Sequence, residues 1–336
     1  MDLKLKDKVV LITGASKGLG FETARMLAAE GALVAMNSRD ETRINQAAEK
    51  IRTQTGGKVY PFAGDVVDPV YSDQIINQVV SQLGRLDVLI TNTGGPPSGK
   101  FETFTDADWH NALEGNFLSH VRMIRTALPF LRQSSTPAVL AITSYSVKQP
   151  IPNLILSTSA RAATVGFIKS LSLELGHEGI RFNSILPGWT QTERVTYLME
   201  KRAEQKGTSV QDEISAQAQD SPLGRMATPE EFAAEMVRTG QHLRPEHLGE
   251  LLGAHQPAFQ HQLSDRASAA VRLDRDLGGV GVADVRVERR RHADRIAHDP
   301  GEPLAVGGDP LDAAVGEDQA ALAQMGDALE QRMGDH

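Results

Sequence analysis

The sequence predicts an α/β protein organised on a doubly wound parallel sheet, and three observations carry that prediction. Short apolar runs of strand length alternate with longer helical stretches across residues 9–186, as successive β-α-β units do. A glycine-rich turn, Gly14, Gly18 and Gly20, joins the first run to the first helix. Polar clusters follow one run after another, at the strand ends where an open parallel sheet places its ligand crevice.

The run 9–12 has the length and β-branched content of a strand covered on both faces. A helix follows over 18–30. A second strand over 32–36 ends at Asn37-Ser38-Arg39-Asp40, and a helix covers 41–53. Residues 59–62 read as a short third strand closed by Gly64-Asp65, with a helix over 70–83 behind it. The fourth strand, 88–91, leads into Asn92-Thr93-Gly94-Gly95-Pro96-Pro97. A long helix over 107–132 is open to a break around Asn116. Strand five covers 138–143, a helix 159–175, and strand six 180–186, stopped by Pro187-Gly188.

At 336 residues the chain has ample length for a buried core, in one large domain or two small ones. Its net charge of −8 argues against a nucleic-acid partner or an anionic membrane surface. With no cysteine there is no disulfide framework and no thiolate nucleophile, and no metal site is expected. The N-terminus carries no apolar signal region, and no apolar run approaches the ~20 residues that span a bilayer. These features predict a soluble, cytoplasmic protein.

The text changes after residue 237. The last 98 residues contain no lysine but ten arginines, seven of the ten histidines and a single isoleucine, Ile296. A domain over 1–237 is therefore expected, followed by an atypical low-order extension over 238–336. A separate domain or a shifted reading frame would write the same switch. The Arg289-Arg290-Arg291 run and the histidines carry no expected site role.

Chemistry starts at the glycine turn. Glycine lets the backbone turn tightly and lets a bulky anion approach the main chain. The helix start behind it offers unpaired N–H groups and a partial positive charge, which suits the pyrophosphate of a dinucleotide. A tight βα turn without a ligand would need the same glycines.

Thr13-Gly14-Ala15-Ser16-Lys17-Gly18-Leu19-Gly20, with Asp65, Asn92-Thr93-Gly94, Asn116, Ser144 and Pro187-Gly188, resembles the short-chain dehydrogenase/reductase family. Within it the chain is most similar to the 3-oxoacyl-(acyl-carrier-protein) reductases, over about residues 5–237. The resemblance implies a Rossmann-type fold, a nicotinamide cofactor, a small carbonyl compound or acyl thioester as substrate, and a homo-oligomer. It places Gly14, Ser16, Lys17, Gly18, Leu19 and Gly20 around the cofactor's phosphates, and Asp65 with Val66 at the adenine. Asn92, Thr93 and Gly94 would flank the cofactor, with Pro187, Gly188, Thr190 and Thr192 towards the carboxamide end of the nicotinamide. An acid at the Ser38 position would bind a ribose 2′-hydroxyl and repel a 2′-phosphate. Ser38 is not acidic, Arg39 follows it, and Lys17 stands in the turn, so NADP(H) is favoured over NAD(H). Asp40 is the competing charge.

The family's catalytic set is an Asn, a Ser, a Tyr thirteen positions on, and a Lys four beyond. Asn116 and Ser144 match, but Ser157 and Arg161 stand where Tyr and Lys belong. A tyrosine of pKa ~10 is lowered into a useful acid by a neighbouring lysine. A serine hydroxyl is a far weaker acid, and an arginine stays protonated. Arg161 would still hold ribose hydroxyls and favour a developing alkoxide. Loss of a positioned general acid costs ~10²–10⁴ in rate. Tyr145 would be the substitute acid, but on an extended segment it should face away from Ser144.

Residues 193–224 fall where the family carries a substrate lid, starting over Thr190 to Arg194 and lined by Tyr197, Leu198 and Leu223. Thr228-Pro229-Glu230-Glu231 starts a capped helix. No text after Val237 clearly supplies the family's seventh strand, which argues against a complete sheet and the usual tetramer. Two functions stay open: an NADPH-dependent reductase, and a nucleotide-binding protein that has lost efficient turnover. A poorly folded product with neither activity is the third outcome that the altered C-terminal text allows.

Overall fold

Buried apolar runs that alternate their side chains across two faces are the basis of the architecture. In the computed structural model, which describes residues 4–221 and 223–242, the strand β1 (Val9–Ile12) sends Val10 and Ile12 to one face of the sheet and Val9 and Leu11 to the other. All four are buried, as a central parallel strand requires. Around it lie β2 (Leu33–Ser38), β3 (Lys58–Ala63), β4 (Val88–Thr91), β5 (Ala138–Ile142) and β6 (Arg181–Ile185), all parallel, in the order β3-β2-β1-β4-β5-β6. The register runs Val10 opposite Val34 on one side and Val88 on the other. The strand order therefore reverses between β1 and β4, and a crevice opens beyond their C-terminal ends.

Helices cover both faces. On one, α1 (Gly18–Ala29), α2 (Glu41–Thr55) and α9 (Pro229–His242) contribute Ala24, Leu27, Ile44, Ile51, Phe232 and Met236 to the core. On the other, α3 (Pro69–Leu83), α5 (Ser119–Leu131) and α6 (Ile155–Leu175) contribute Ile75, Val79, Met123, Ile124 and Ile168. Each predicted strand and helix is present, with ends moved by a few residues. The predicted helix 107–132 is two helices, α4 (Asp106–Leu113) and α5, joined through a wide π-type turn over Glu114–Leu118. That turn holds Asn116, as the expected break did. The segment after β6 forms α7 (Glu193–Lys206) and α8 (Val210–Gln219).

No seventh strand occurs among the described residues. Along strand β6 only Phe182 is fully buried. The described residues all fall within one compact unit, Met1–Ala270. The extension expected over 238–336 lies, beyond His242, outside the described residues. No helix among the described residues is long and apolar enough to cross a membrane.

Candidate active site

The glycine turn is shaped by two residues that only glycine suits and by one asparagine that clamps it. Gly14 and Gly18 adopt φ of 58° and 57°, the left-handed region that penalises a Cβ. The Thr13 hydroxyl donates to the Asn92 carbonyl at 2.8 Å, and the Asn92 amide side chain donates to the Gly14 carbonyl at 3.1 Å. These bonds tie the end of β1 to the end of β4. No side chain caps α1, so its first N–H groups remain available to an anion. Gly14, Ser16, Lys17, Gly18 and Leu19 line a cleft of about 1120 Å³ along the C-terminal sheet edge. Gly20 does not line it. A Cβ there would come within 2.5 Å of the Gly14 carbonyl and 3.0 Å of the Ala15 Cα. That close approach packs α1 against the turn.

At one end of the cleft stand Ser38, Arg39, Asp65 and Val66. Asp40, the competing charge, caps α2 through the Arg43 N–H at 2.9 Å and pairs with the Arg43 side chain. Lys17, expected to meet a phosphate, is instead ion-paired with Glu193 at the start of α7. Arg39 makes no ion pair among the described residues. The sequence reading missed Asn37, buried at the end of β2. Its side chain donates to the carbonyls of Phe62 and Gly64 and to the Tyr71 hydroxyl. A polar residue inside an apolar strand was the available signal.

Asn92, Thr93 and Gly94 lie in the middle of the cleft, and Asn116, Ser144, Ser157, Arg161, Pro187, Gly188, Thr190 and Thr192 gather at the other end. The π-type turn places Asn116 at the wall, where its Oδ1 accepts from the Thr93 hydroxyl at 3.4 Å and its main-chain carbonyl accepts from the Thr164 hydroxyl at 2.5 Å. Ser144 Oγ accepts from the Ser146 N–H at 3.2 Å, which leaves its own proton to donate. Ser157 Oγ, one turn of α6 before Arg161, accepts from Arg161 Nε at 3.2 Å, so its proton is likewise available. Thr192 caps α7 by accepting from the Val195 N–H.

Arg161 departs from the expected role. Its guanidinium is buried, and Nη1 donates to the carbonyls of Ile142 and Thr143 while Nη2 reaches that of Thr93. A flat fork suits several main-chain oxygens at once, as a lysine would not. Most of its donors are therefore spent holding the ends of β4 and β5, and few are left for ribose hydroxyls. Burial first, and the positive Arg194 second, lower its pKa to about 10. It stays a cation at neutral pH.

Tyr145 also departs from expectation. The chain turns directly after Ser144 into one 3₁₀ turn over Tyr145–Val147, so both residues line the cleft. Alternation of an extended strand does not reach this position. The Tyr145 ring stands edge-on to Trp189 at 6.4 Å and is hydrogen-bonded to it. Burial raises its pKa, the reverse of what an activated tyrosine needs. Tyr197 and Leu198 of α7 line the cleft as expected, whereas Leu223 is exposed and outside it.

Beneath this end lies His120, which the sequence reading passed over. It belongs to the buried face of α5 with Met123, Ile124 and Ala127, at helical spacing. Its Nδ1 is 2.7 Å from Thr91 Oγ1, and its Nε2 has no hydrogen-bond partner.

The chain is similar to known proteins in sequence and in fold. The short chain dehydrogenase family model matches residues 8–203. An uncharacterized oxidoreductase, YvrD, of Bacillus subtilis is 31% identical over 241 residues, 70% of this chain and 90% of YvrD. L-sorbose reductase from Gluconobacter frateurii, solved with NADPH and L-sorbose, superposes with a TM-score of 0.68 at 28% identity, over 72% of this chain and 92% of that one. An actinorhodin polyketide ketoreductase variant, solved with NADPH, gives a TM-score of 0.66 at 28% identity, over 70% and 90% of the two chains. The glycine turn, the strand order, the positions of Asn116 and Ser144 and these matches converge, and the chain belongs to the short chain dehydrogenase family.

Proposed function

We propose that the chain is an NADP(H)-dependent oxidoreductase that reduces a ketone or a 3-oxoacyl thioester by hydride transfer, acting in the cytoplasm without a nucleic-acid or membrane partner. The observation that carries this reading is the single cleft that runs from the glycine turn to the Ser144 and Ser157 hydroxyls. The cradle fits a dinucleotide on this structure's own terms, since left-handed glycines bring uncapped helix N–H groups to its wall. Ser16 to Leu19 would hold the diphosphate, Arg39 with Ser38 the 2′-phosphate, Asp65 and Val66 the adenine, and Thr190 and Thr192 the carboxamide. Arg39, free of any ion pair among the described residues, favours NADP(H), and two relatives in the family were solved with NADPH.

When bound, the reduced cofactor supplies the hydride. The protein's own residues then handle the oxygen. Ser144 and Ser157 donate hydrogen bonds to the carbonyl oxygen, and Arg161, through its bond to Ser157, stabilises the negative charge that develops. The alkoxide takes its proton from water in the open cleft, through one of these hydroxyls, because no side chain here is a matched acid. The overall change is one carbonyl, one hydride and one proton to one alcohol. The fold's family also suggests a homo-oligomer, with the described sheet ending at β6.

The engagement of Arg161 with main-chain carbonyls favours a second reading, a nucleotide-binding homologue with little turnover. NADPH titration followed by turnover on a 3-oxoacyl thioester and on simple ketones separates the two. We expect the wild type to bind NADPH and turn over slowly, and Ser157→Tyr with Arg161→Lys to raise kcat by on the order of 10². Binding with no turnover in the wild type, and turnover only in the double variant, would establish the second reading. No binding of either nucleotide would remove both.

A further inference from the structure

Two guanidinium groups meet at the substrate end of the cleft, and no carboxylate answers either of them. Arg161 of α6 sends Nη2 to the Thr93 carbonyl at 3.5 Å, and Arg194 of α7 sends Nη2 to the Pro96 carbonyl at 2.7 Å. Both therefore attach to the same short stretch after β4. The Arg194 group lies over Gly95 between them, so close that a Cβ there would come within 2.8 Å of Nη2. Both arginines line the cleft.

The acids lining the cleft are otherwise engaged. Glu193 pairs with Lys17, and Asp40 caps α2 and pairs with Arg43. Asp65 accepts the Val67 N–H, and Asp108 closes the capping box of α4 with Thr105. Neither Arg161 nor Arg194 has an ion pair among the described residues. Like charges brought together out of water are costly unless an anion joins them. Arg161 has most of its donors on carbonyls, so it contributes mainly charge. Arg194 uses one N–H on Pro96 and its face on the Tyr197 ring, 5.4 Å away, which leaves the rest of its fork for a planar oxyanion.

We infer that Arg161 and Arg194 form an anion subsite, and that the substrate is an oxo acid whose carboxylate lies close to the carbonyl that takes the hydride. The inference rests on the oxidoreductase reading and narrows it, since a carrier-bound thioester brings no carboxylate to this end. The other source of an oxyanion is the cofactor's diphosphate, for which the uncapped start of α1 already provides a place.

The test uses NADPH-loaded protein, followed by cofactor fluorescence and titrated with acetoacetate and levulinate and with their methyl esters. Wild type is expected to bind an acid at least about tenfold more tightly than its ester, the scale of one charge-assisted hydrogen bond. Arg194→Gln should abolish that preference with NADPH affinity retained, and Arg194→Lys should keep part of it. Equal binding of acid and ester by the wild type, no binding of either acid, or an intact preference in Arg194→Gln would each overturn the assignment. So would a parallel loss of NADPH affinity in Arg194→Gln, which gives the arginine to the cofactor's phosphates. The wild-type comparison needs no variant and stands if Arg194→Gln fails to fold. A wild type that does not bind NADPH sinks the oxidoreductase reading itself, a result distinct from one that holds NADPH and ignores the acid.

Discussion

In the proposed reduction, Ser144 and Ser157 are the two cleft-lining side chains that would offer a proton to the reacting oxygen. Removing one preorganised donor of this kind costs on the order of 10²–10³ in kcat. Ser144→Ala should therefore lower kcat by about that factor with NADPH affinity unchanged, measured by steady-state turnover and fluorescence titration. A loss below about threefold would show that the hydroxyl does not touch the developing charge. His120 governs a different property. Burial first, and the nearby positive Arg161 second, push its pKa down to about 3. The unfolded chain takes up that proton near ~6.5 while the folded chain refuses it. The stability this residue contributes is thus complete above ~6.5 and is lost as pH falls from there towards the folded value. His120→Leu gives up the bond to Thr91, yet it should flatten the dependence of Tm on pH between about 7 and 5. Parallel curves for the two proteins would refute the assignment.

The elements around the site succeed or fail by the space at their glycines. Gly20 has the main chain of Gly14 and Ala15 nearest to where a Cβ would go, with the Asn92 side-chain amide beside them at 3.1 Å. Gly20→Ala should cost roughly 1–3 kcal/mol by overpacking, and it should weaken NADPH binding by pushing α1 off the turn. Gly166 sits exposed within α6, with open space where a Cβ would go. Gly166→Ala should stabilise by about 0.5–1 kcal/mol through helix propensity alone. Chemical denaturation of both variants checks the contrast, and equal effects would show that helix propensity, not the close turn, sets the cost at Gly20. The π-type turn over Glu114–Leu118 works at the same scale. It widens the helix by one residue and delivers Asn116 to the cleft wall while α5 keeps its apolar face on the sheet.

Across the whole molecule, the sheet has a chemical end and a structural end. At the end away from the cleft, Asp87 is fully buried and accepts from the Val9 N–H, Arg85 and Ser134, while its main chain bonds Val9 and Ala138. It therefore joins the starts of β1, β4 and β5. Burial, the largest influence, raises its pKa, but the hydrogen bonds from Arg85, Ser134 and Val9 together hold it below the ordinary value. A depressed carboxyl stabilises the fold above its unfolded pKa of ~3.9, and that stability is lost as pH falls through the folded value. Asp87→Asn should lower Tm at neutral pH and remove the steepest part of the acid limb below about pH 4, a window lower than the one His120 opens. An unaltered acid limb in thermal melts would show that other carboxyls set it.

Much of this was legible in the chain itself. Strands and helices followed from apolar runs and their spacing, because burial on both faces of a parallel strand leaves few other patterns for β1 and β5. The place of the cleft was legible too, since the glycine turn and the polar clusters all fall at the C-terminal ends of parallel strands. What the linear text withheld were matters of direction. Whether Tyr145 faces Ser144 depends on a 3₁₀ turn, whether Lys17 meets a phosphate depends on Glu193 across the cleft, and whether Arg161 is free depends on carbonyls from β4 and β5. Local residues determine which elements form, because propensity and periodicity act over a few positions. Only the tertiary structure decides which charges pair and which are left open, because Arg161 and Arg194 come from separate helices and meet where β4 ends.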